Sequence, residues 1–249
     1  MLNFIFIKNL IKTRNLMFII DKFFAKLSTK NKIETQKWIS SNLTNLNDYC
    51  NSIDPDLWKE SQRLAEKLEN HSHKILSNIK YDLGGGGCYS LIYFYTRLLK
   101  PSVVIETGVA AGWSSYSFLK AMEINKKGSL YSSDYPYLKI PNPKSFIGIL
   151  VPNELKKRWN VLIEGDKKNI PKILENLDKI DIFHYDSDKS YSGRNFTYNM
   201  IKGKFSDKSI LIMDDIQDNS FFMEMVKKEE INSFKIFEFK GKYLGIVNF

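Results

Sequence analysis

Val103-Val-Ile-Glu-Thr-Gly-Val-Ala-Ala-Gly-Trp-Ser-Ser115 decides how this chain folds. Three β-branched residues run into an acid and then into glycines at 108 and 112, so an apolar strand ends in a tight turn that opens a helix. Such a turn leaves backbone N–H groups facing whatever sits at the strand end, the geometry of a nucleotide-type loop. A dinucleotide fingerprint would space its glycines G-x-G-x-x-G. Here the spacing is Gly108-x-x-x-Gly112, with Glu106 two residues before the first glycine.

Downstream of this loop, short β-branched or aromatic runs alternate with helical segments, the signature of a parallel α/β sheet. Strands are expected over 103–107, 129–133, 161–164, 181–185, 209–213, 235–239 and 243–248. Only Lys240-Gly-Lys242 separates the last two, too little for a helical crossover, so they must pair as an antiparallel hairpin. The result is a seven-stranded, mostly parallel, doubly wound sheet, in which ligands bind beyond the carboxyl ends of the strands near the switch in strand order.

Upstream, residues 31–100 read as helical, with Asp54-Pro55 as a helix start and 88–99 as a last helix stopped by Pro101. The chain therefore divides into a helical lead-in over 1–100 and an α/β domain over 101–249. Gly84-Gly-Gly-Gly87 reads either as a flap over a ligand or as a joint between helical units. The apolar opening over 1–27 is interrupted by Lys8, Lys12, Arg14, Asp21, Lys22 and Lys26 before a membrane-spanning length accumulates. It reads as a helix that packs on the domain or a second subunit, or as an amphipathic helix lying on a membrane surface.

With 249 residues and a hydrophobic share of 43%, the chain can bury one substantial core. Its net charge of +9 is scattered along the sequence rather than gathered in a patch. Cys50 and Cys88 form neither a metal spacing nor a disulfide framework, which places the expectation in a reducing compartment, the cytoplasm by default. His71 and His73 stand two apart on a helix and diverge by about 200°, a poor chelate. His184 falls inside a strand.

The chemistry gathers at strand ends. Asp134 can accept hydrogen bonds from both hydroxyls of an adenosine ribose, and Asp166 reaches the same edge, toward an adenine amino group. Ile180-Asp-Ile-Phe-His-Tyr-Asp-Ser-Asp-Lys-Ser-Tyr191 and Ile210-Leu-Ile-Met-Asp-Asp215 deliver further acids. Asp186, Asp214 and Asp215 could together hold a hard divalent cation such as magnesium through oxygen, and that ion could acidify an acceptor hydroxyl. Lys189, three residues beyond Asp186, could act as general base if burial and the cation lower its pKa. The competing reading of these acids is helix capping.

Val104-Ile-Glu-Thr-Gly, Gly112-Trp-Ser-Ser, Leu150-Val-Pro-Asn-Glu with Trp159, Ile163-Glu-Gly-Asp, Asp181-Ile-Phe-His-Tyr-Asp-Ser-Asp and Met213-Asp-Asp-Ile occur in an order that resembles the class I S-adenosylmethionine-dependent methyltransferases, in particular methyltransferase family 24. The resemblance is tightest over 101–216 and looser over 84–249. It implies a Rossmann-like methyltransferase fold. Glu106, Gly108 and Gly112 would frame the methionine part of the cofactor with Ser114 beside them, Asp134 the ribose and Asp166 the adenine. The family carries His where this chain has Lys189. In that respect the box is similar to that of metal-dependent catechol and caffeoyl-type O-methyltransferases, whose Asp-x-x-Lys supplies a metal ligand and a base.

The expected reaction is methyl transfer to an oxygen of a small-molecule or sugar acceptor, whose pocket would be shaped by the helical lead-in and by residues 135–151. The Pro-Pro-aromatic signature of nucleic-acid amino-methyltransferases is missing after Asp186, so no nucleic-acid partner is expected. A nicotinamide-dependent oxidoreductase and a non-catalytic scaffold in a biosynthetic complex are the rival readings.

Overall fold

The computed structural model describes residues 32–249, so the expectation for residues 1–27 lies outside the described residues. Four helices lead in: α1 (Lys32–Ser41), α2 (Leu46–Ile53), α3 (Pro55–Leu76) and α4 (Tyr89–Leu99). Asp54 caps α3 by accepting a hydrogen bond from the Leu57 N–H, with Pro55 in the first turn, where the lost N–H costs nothing. After α4 the chain alternates: β1 (Val103–Thr107), α5 (Trp113–Asn125), β2 (Ser129–Ser133), β3 (Trp159–Leu162), α6 (Asp166–Leu174), β4 (Ile180–Tyr185), α7 (Tyr191–Ile201), β5 (Phe205–Met213), α8 (Phe221–Lys228), β6 (Phe234–Phe239) and β7 (Lys242–Asn248).

The strands form one sheet in the order β3-β2-β1-β4-β5-β7-β6. Pairings among β1 to β5 are parallel, and β7 runs antiparallel to both β5 and β6, as expected for the terminal hairpin. The order reverses between β1 and β4, which makes their carboxyl ends the switch point. β3 starts and ends two residues earlier than expected. Its partner β2 stops at Ser133, opposite Leu162, so Ile163 and Glu164 have no ladder to join and the chain turns at Gly165.

Alternate residues of each strand feed opposite faces. Ile105, Phe183, Leu211 and Val247 pack with α6, α7 and α8, while Val104, Ile182, Ile212 and Ile246 pack with α4 and α5. The lead-in helices are part of this core. Trp38 stacks on Phe234 at 5.4 Å, the Thr44 N–H donates to the Ile236 carbonyl, and Trp58 meets Phe94 edge-on. Among the described residues no helix is long and apolar enough to cross a membrane.

Phe183, fully buried at the centre of β4, is the test of this core. Phe183→Ala should lower unfolding free energy by about 3–5 kcal/mol in denaturant titration, whereas Val161→Ala on the edge strand should change it by less than about 0.5 kcal/mol.

Candidate functional site

Glu106, Asp134, Asp166, Asp186, Asp214 and Asp215 stand at or just beyond the carboxyl edge of the sheet, and the turn between β1 and α5 organises them. Gly108 has φ of +83° and a Cβ there would lie 2.1 Å from the Asp186 carbonyl oxygen, so the loops after β1 and β4 touch only because residue 108 has no side chain. Gly112, at φ +100°, presses on Gly148 in the same way. Beneath the turn, Glu106 is fully buried and accepts hydrogen bonds from Ser114 at 2.5 Å, Ser115 at 2.6 Å and Ser132 at 2.8 Å. Glu106 and Ser114 are therefore committed to one another rather than to open space.

Asp134 follows β2 and faces the turn. Its carboxylate accepts from the Ala110 N–H at 2.8 Å and its own neighbour's N–H, Tyr135, at 2.7 Å. Burial pushes its pKa up to about 7; the two N–H groups pull it down, while Asp166 and Glu106 add to the rise. Asp166 opens α6 and accepts from Ser133 at 2.6 Å and from Ser187 at 2.5 Å, tying the ends of β2, β3 and β4 together. Burial raises its pKa as well.

Across the switch point lies a cavity of about 280 Å³, lined by Gly85–Tyr89, Trp113, the three acids Asp186, Asp214 and Asp215, and the hairpin residues Phe239, Lys240 and Lys242–Leu244. The glycine run is thus a wall of this cavity. A Cβ on Gly86 would fall 2.4 Å from Trp113, and one on Gly87 would fall 1.9 Å from Asp214 Oδ2. Tyr89 stacks on Trp113 at 5.3 Å, giving the cavity an aromatic side. Lys240 closes the rim by donating to Glu69 at 2.8 Å and to the Tyr89 hydroxyl at 2.6 Å. The stretch 135–151 does not line this cavity; Ile140 and Leu150 pack instead with Leu83, and the Tyr137 hydroxyl donates to the Leu83 carbonyl.

The three acids near the cavity are brought to one edge but not to one point. Lys189 pairs with Asp186 and lies 2.9 Å from Asp215, while Asp214 hydrogen-bonds to His184 at 3.0 Å. Among the described residues no group of three or more His, Cys, Asp and Glu side chains is arranged to hold a metal ion, so the donor set does not fit the divalent cation expected from sequence. Burial alone would lower the Lys189 pKa, but Asp186 and Asp215 outweigh it and hold the ammonium above its ordinary value. That direction is opposite to the one a neutral lysine base needs. Burial pushes the Asp186 carboxyl up, against the pull of Lys189.

His184, expected inside a strand, is fully buried on β4 and supports Asp214 from beneath the site. Burial would lower its pKa, yet hydrogen bonding to Asp214 and the nearby Glu106 lift it to about 10. Its Nδ1 sits 3.9 Å from Glu106, too far for a hydrogen bond, and has no other partner among the described residues. The cavity walls Tyr89, Phe239, Lys240 and Lys242 carried no motif; the one signal was the glycine run beside them.

Residues 105–216 match the family of methyltransferase domains. The chain is similar in structure to an O-methyltransferase from Bacillus cereus in complex with S-adenosylhomocysteine, with 12% identity, 85% of this chain and 100% of that one covered, and a TM-score of 0.55. It is similar also to an S-adenosylhomocysteine-bound methyltransferase from Podospora anserina, with 17% identity, 87% and 96% coverage and a TM-score of 0.51. A third is an O-methyltransferase from Streptomyces achromogenes, involved in tomaymycin synthesis and solved with S-adenosylmethionine, with 14% identity, 82% and 98% coverage and a TM-score of 0.51. At these identities the likeness shows the fold. No curated protein matches the sequence.

Gly108→Ala places a methyl group against the Asp186 carbonyl in a backbone region L-residues avoid. It should destabilise the fold by about 1–3 kcal/mol or more, read as a lowered thermal midpoint, because the two loops must separate.

Proposed function

With a methyltransferase domain over residues 105–216, we propose that this chain transfers the methyl group of S-adenosylmethionine to an oxygen of a small-molecule or sugar acceptor. The observation that carries the reading is the meeting of two half-sites on one sheet edge: Asp134 and Asp166 beside the Gly108–Gly112 turn, and next to them a cavity bordered by Asp186, Asp214 and Asp215.

On this reading Asp134 accepts the ribose hydroxyls and Asp166 the adenine amino group, while the turn brings backbone N–H groups to the methionine part. Glu106 acts through Ser114 and Ser115, holding the turn rather than touching the cofactor. The acceptor lies in the cavity beside the stacked pair Tyr89 and Trp113. Bound at the turn, S-adenosylmethionine would supply the methyl group and keep the sulfur's bonding pair as leaving group, while the acceptor hydroxyl, in gaining the methyl, would have to give up its proton. Asp186, raised toward neutrality by burial, is the group suited to take that proton. Lys189, charged, steadies the acids and can donate a hydrogen bond to the acceptor oxygen. Holding donor and acceptor in line in this cleft supplies the rate.

Calorimetric titration with S-adenosylhomocysteine tests the cofactor half. The wild-type chain should bind in the micromolar range, Asp134→Ala about tenfold or more weakly, and Asp215→Ala within about twofold of wild type. Absence of binding by the wild-type chain would sink the reading in favour of a non-catalytic scaffold.

The pH dependence follows from Asp134. Its folded pKa is raised to about 7, so the fold favours the protonated carboxyl and loses that contribution to stability as pH rises through 7. The ionised carboxylate is the better partner for two ribose hydroxyls, so affinity should run the other way, tightening by about tenfold between pH 6 and pH 8. Asp134→Asn should flatten this profile; a slope unchanged in that variant would assign the titration to another group.

A further inference from the structure

Acids at neighbouring strand ends suggest the oxygen cage of a divalent cation, yet the side chains answer that need differently. Lys189 Nζ contacts Asp186 Oδ1 and lies 2.9 Å from Asp215 Oδ2. The other Asp215 oxygen faces Lys242 Nζ at 3.3 Å. Asp214 turns away to His184 Nε2, and Gly87 packs directly on the same oxygen. Lys189 is thus shared by Asp186 and Asp215 while Asp214 is taken by His184, and among the described residues no group of three or more His, Cys, Asp and Glu side chains could hold a metal ion.

A magnesium ion requires about six oxygens near 2.1 Å in an octahedron. Between Asp186 and Asp215 that position coincides with the Lys189 ammonium, so an entering dication would have to displace a like charge that is already paired on both sides. We propose that Lys189 is the resident cation of this site, its ammonium standing where a divalent metal would stand in an acid-lined pocket, so that the chain works without a metal ion. The proposal rests on the methyl-transfer reading for its function and on the Lys189 geometry for its content. An ammonium keeps two close carboxylates from repelling and offers N–H donors to the acceptor oxygen. It acidifies a hydroxyl less than a metal does, which leaves proton removal to a carboxylate.

Manganese(II) titrated into the metal-stripped full chain, followed by the loss of its free electron-paramagnetic signal, is the test. The wild type should leave the ion free up to about 1 mM, and Lys189→Arg should behave alike because the charge stays in place. Lys189→Met, which removes the charge at similar length, should bind manganese at least about tenfold more tightly than wild type. Should Lys189→Met fail to fold in a thermal melt, Lys189→Gln serves in its place. Micromolar binding by the wild type overturns the proposal. So does a folded, uncharged variant that binds no better than wild type, since Lys189 would then not be what fills the position. Titration with S-adenosylhomocysteine in the same samples reports on the methyl-transfer reading separately: a chain that binds neither ligand loses its function assignment while the Lys189 result still stands on the variants.

Discussion

A carboxylate sealed inside the sheet constrains everything around it. Glu106 has no exposed surface, and an ion of that size costs several kcal/mol to bury even after relaxation. Three hydroxyls offset that cost: Ser132 from β2 and Ser114 and Ser115 from the first turn of α5. For those bonds to form, β2 must lie beside β1 and α5 must begin directly over the end of β1. The connection is left with five residues, and positive φ at Gly108, Ala110 and Gly112 is how it manages the reversal. The tight turn that would receive a cofactor is in this sense a consequence of satisfying one buried charge.

The same charge extends a polar row across the sheet. Trp159 donates to Ser132, Ser132 to Glu106, and His184 stands next along at 3.9 Å before its own bond to Asp214. The row crosses β3, β2, β1 and β4 and ends at the cavity, linking the strand that carries the turn to the acid that lines the acceptor side. The imidazole is flanked by two carboxylates, which is what holds it charged although fully buried. Neutralising it in place would leave Glu106 and Asp214 less compensated, so the two half-sites share an electrostatic support.

Much of this was legible in sequence because it obeys short-range rules. Strand β1 and strand β2 occupy the expected residues, Asp54-Pro55 starts α3, and Lys240-Gly-Lys242 forces the hairpin. Strand β3 shifted because its length is set by the partner strand, not by its own residues. The cavity was illegible for a similar reason: Tyr89, Trp113 and Phe239 come from three elements far apart in the chain, each with the look of an ordinary core aromatic. The roles of Lys189 and His184 depended on which carboxylate each would meet, and residue spacing does not contain that information.

The Asp214-Asp215 pair shows why spacing misleads here. Adjacent acids at a strand end look like a chelating pair, but Asp215 adopts φ of +52°, a left-handed conformation costing about 1 kcal/mol or more outside glycine. That rotation sends its carboxylate toward Lys189 and Lys242 while Asp214 continues toward His184. Arg194 fixes the kink: fully buried on α7, it donates from Nη2 to the Asp214 carbonyl at 3.2 Å and to the Asp215 carbonyl at 2.8 Å. Among the described residues its Nε and Nη1 find no partner, a further cost at this spot. A strained backbone and an under-satisfied guanidinium beneath a single turn have no purpose in packing, where an apolar residue would serve better. They make sense if what is being held is the divergence of two carboxylates, one taken by His184 and the other by Lys189 and Lys242.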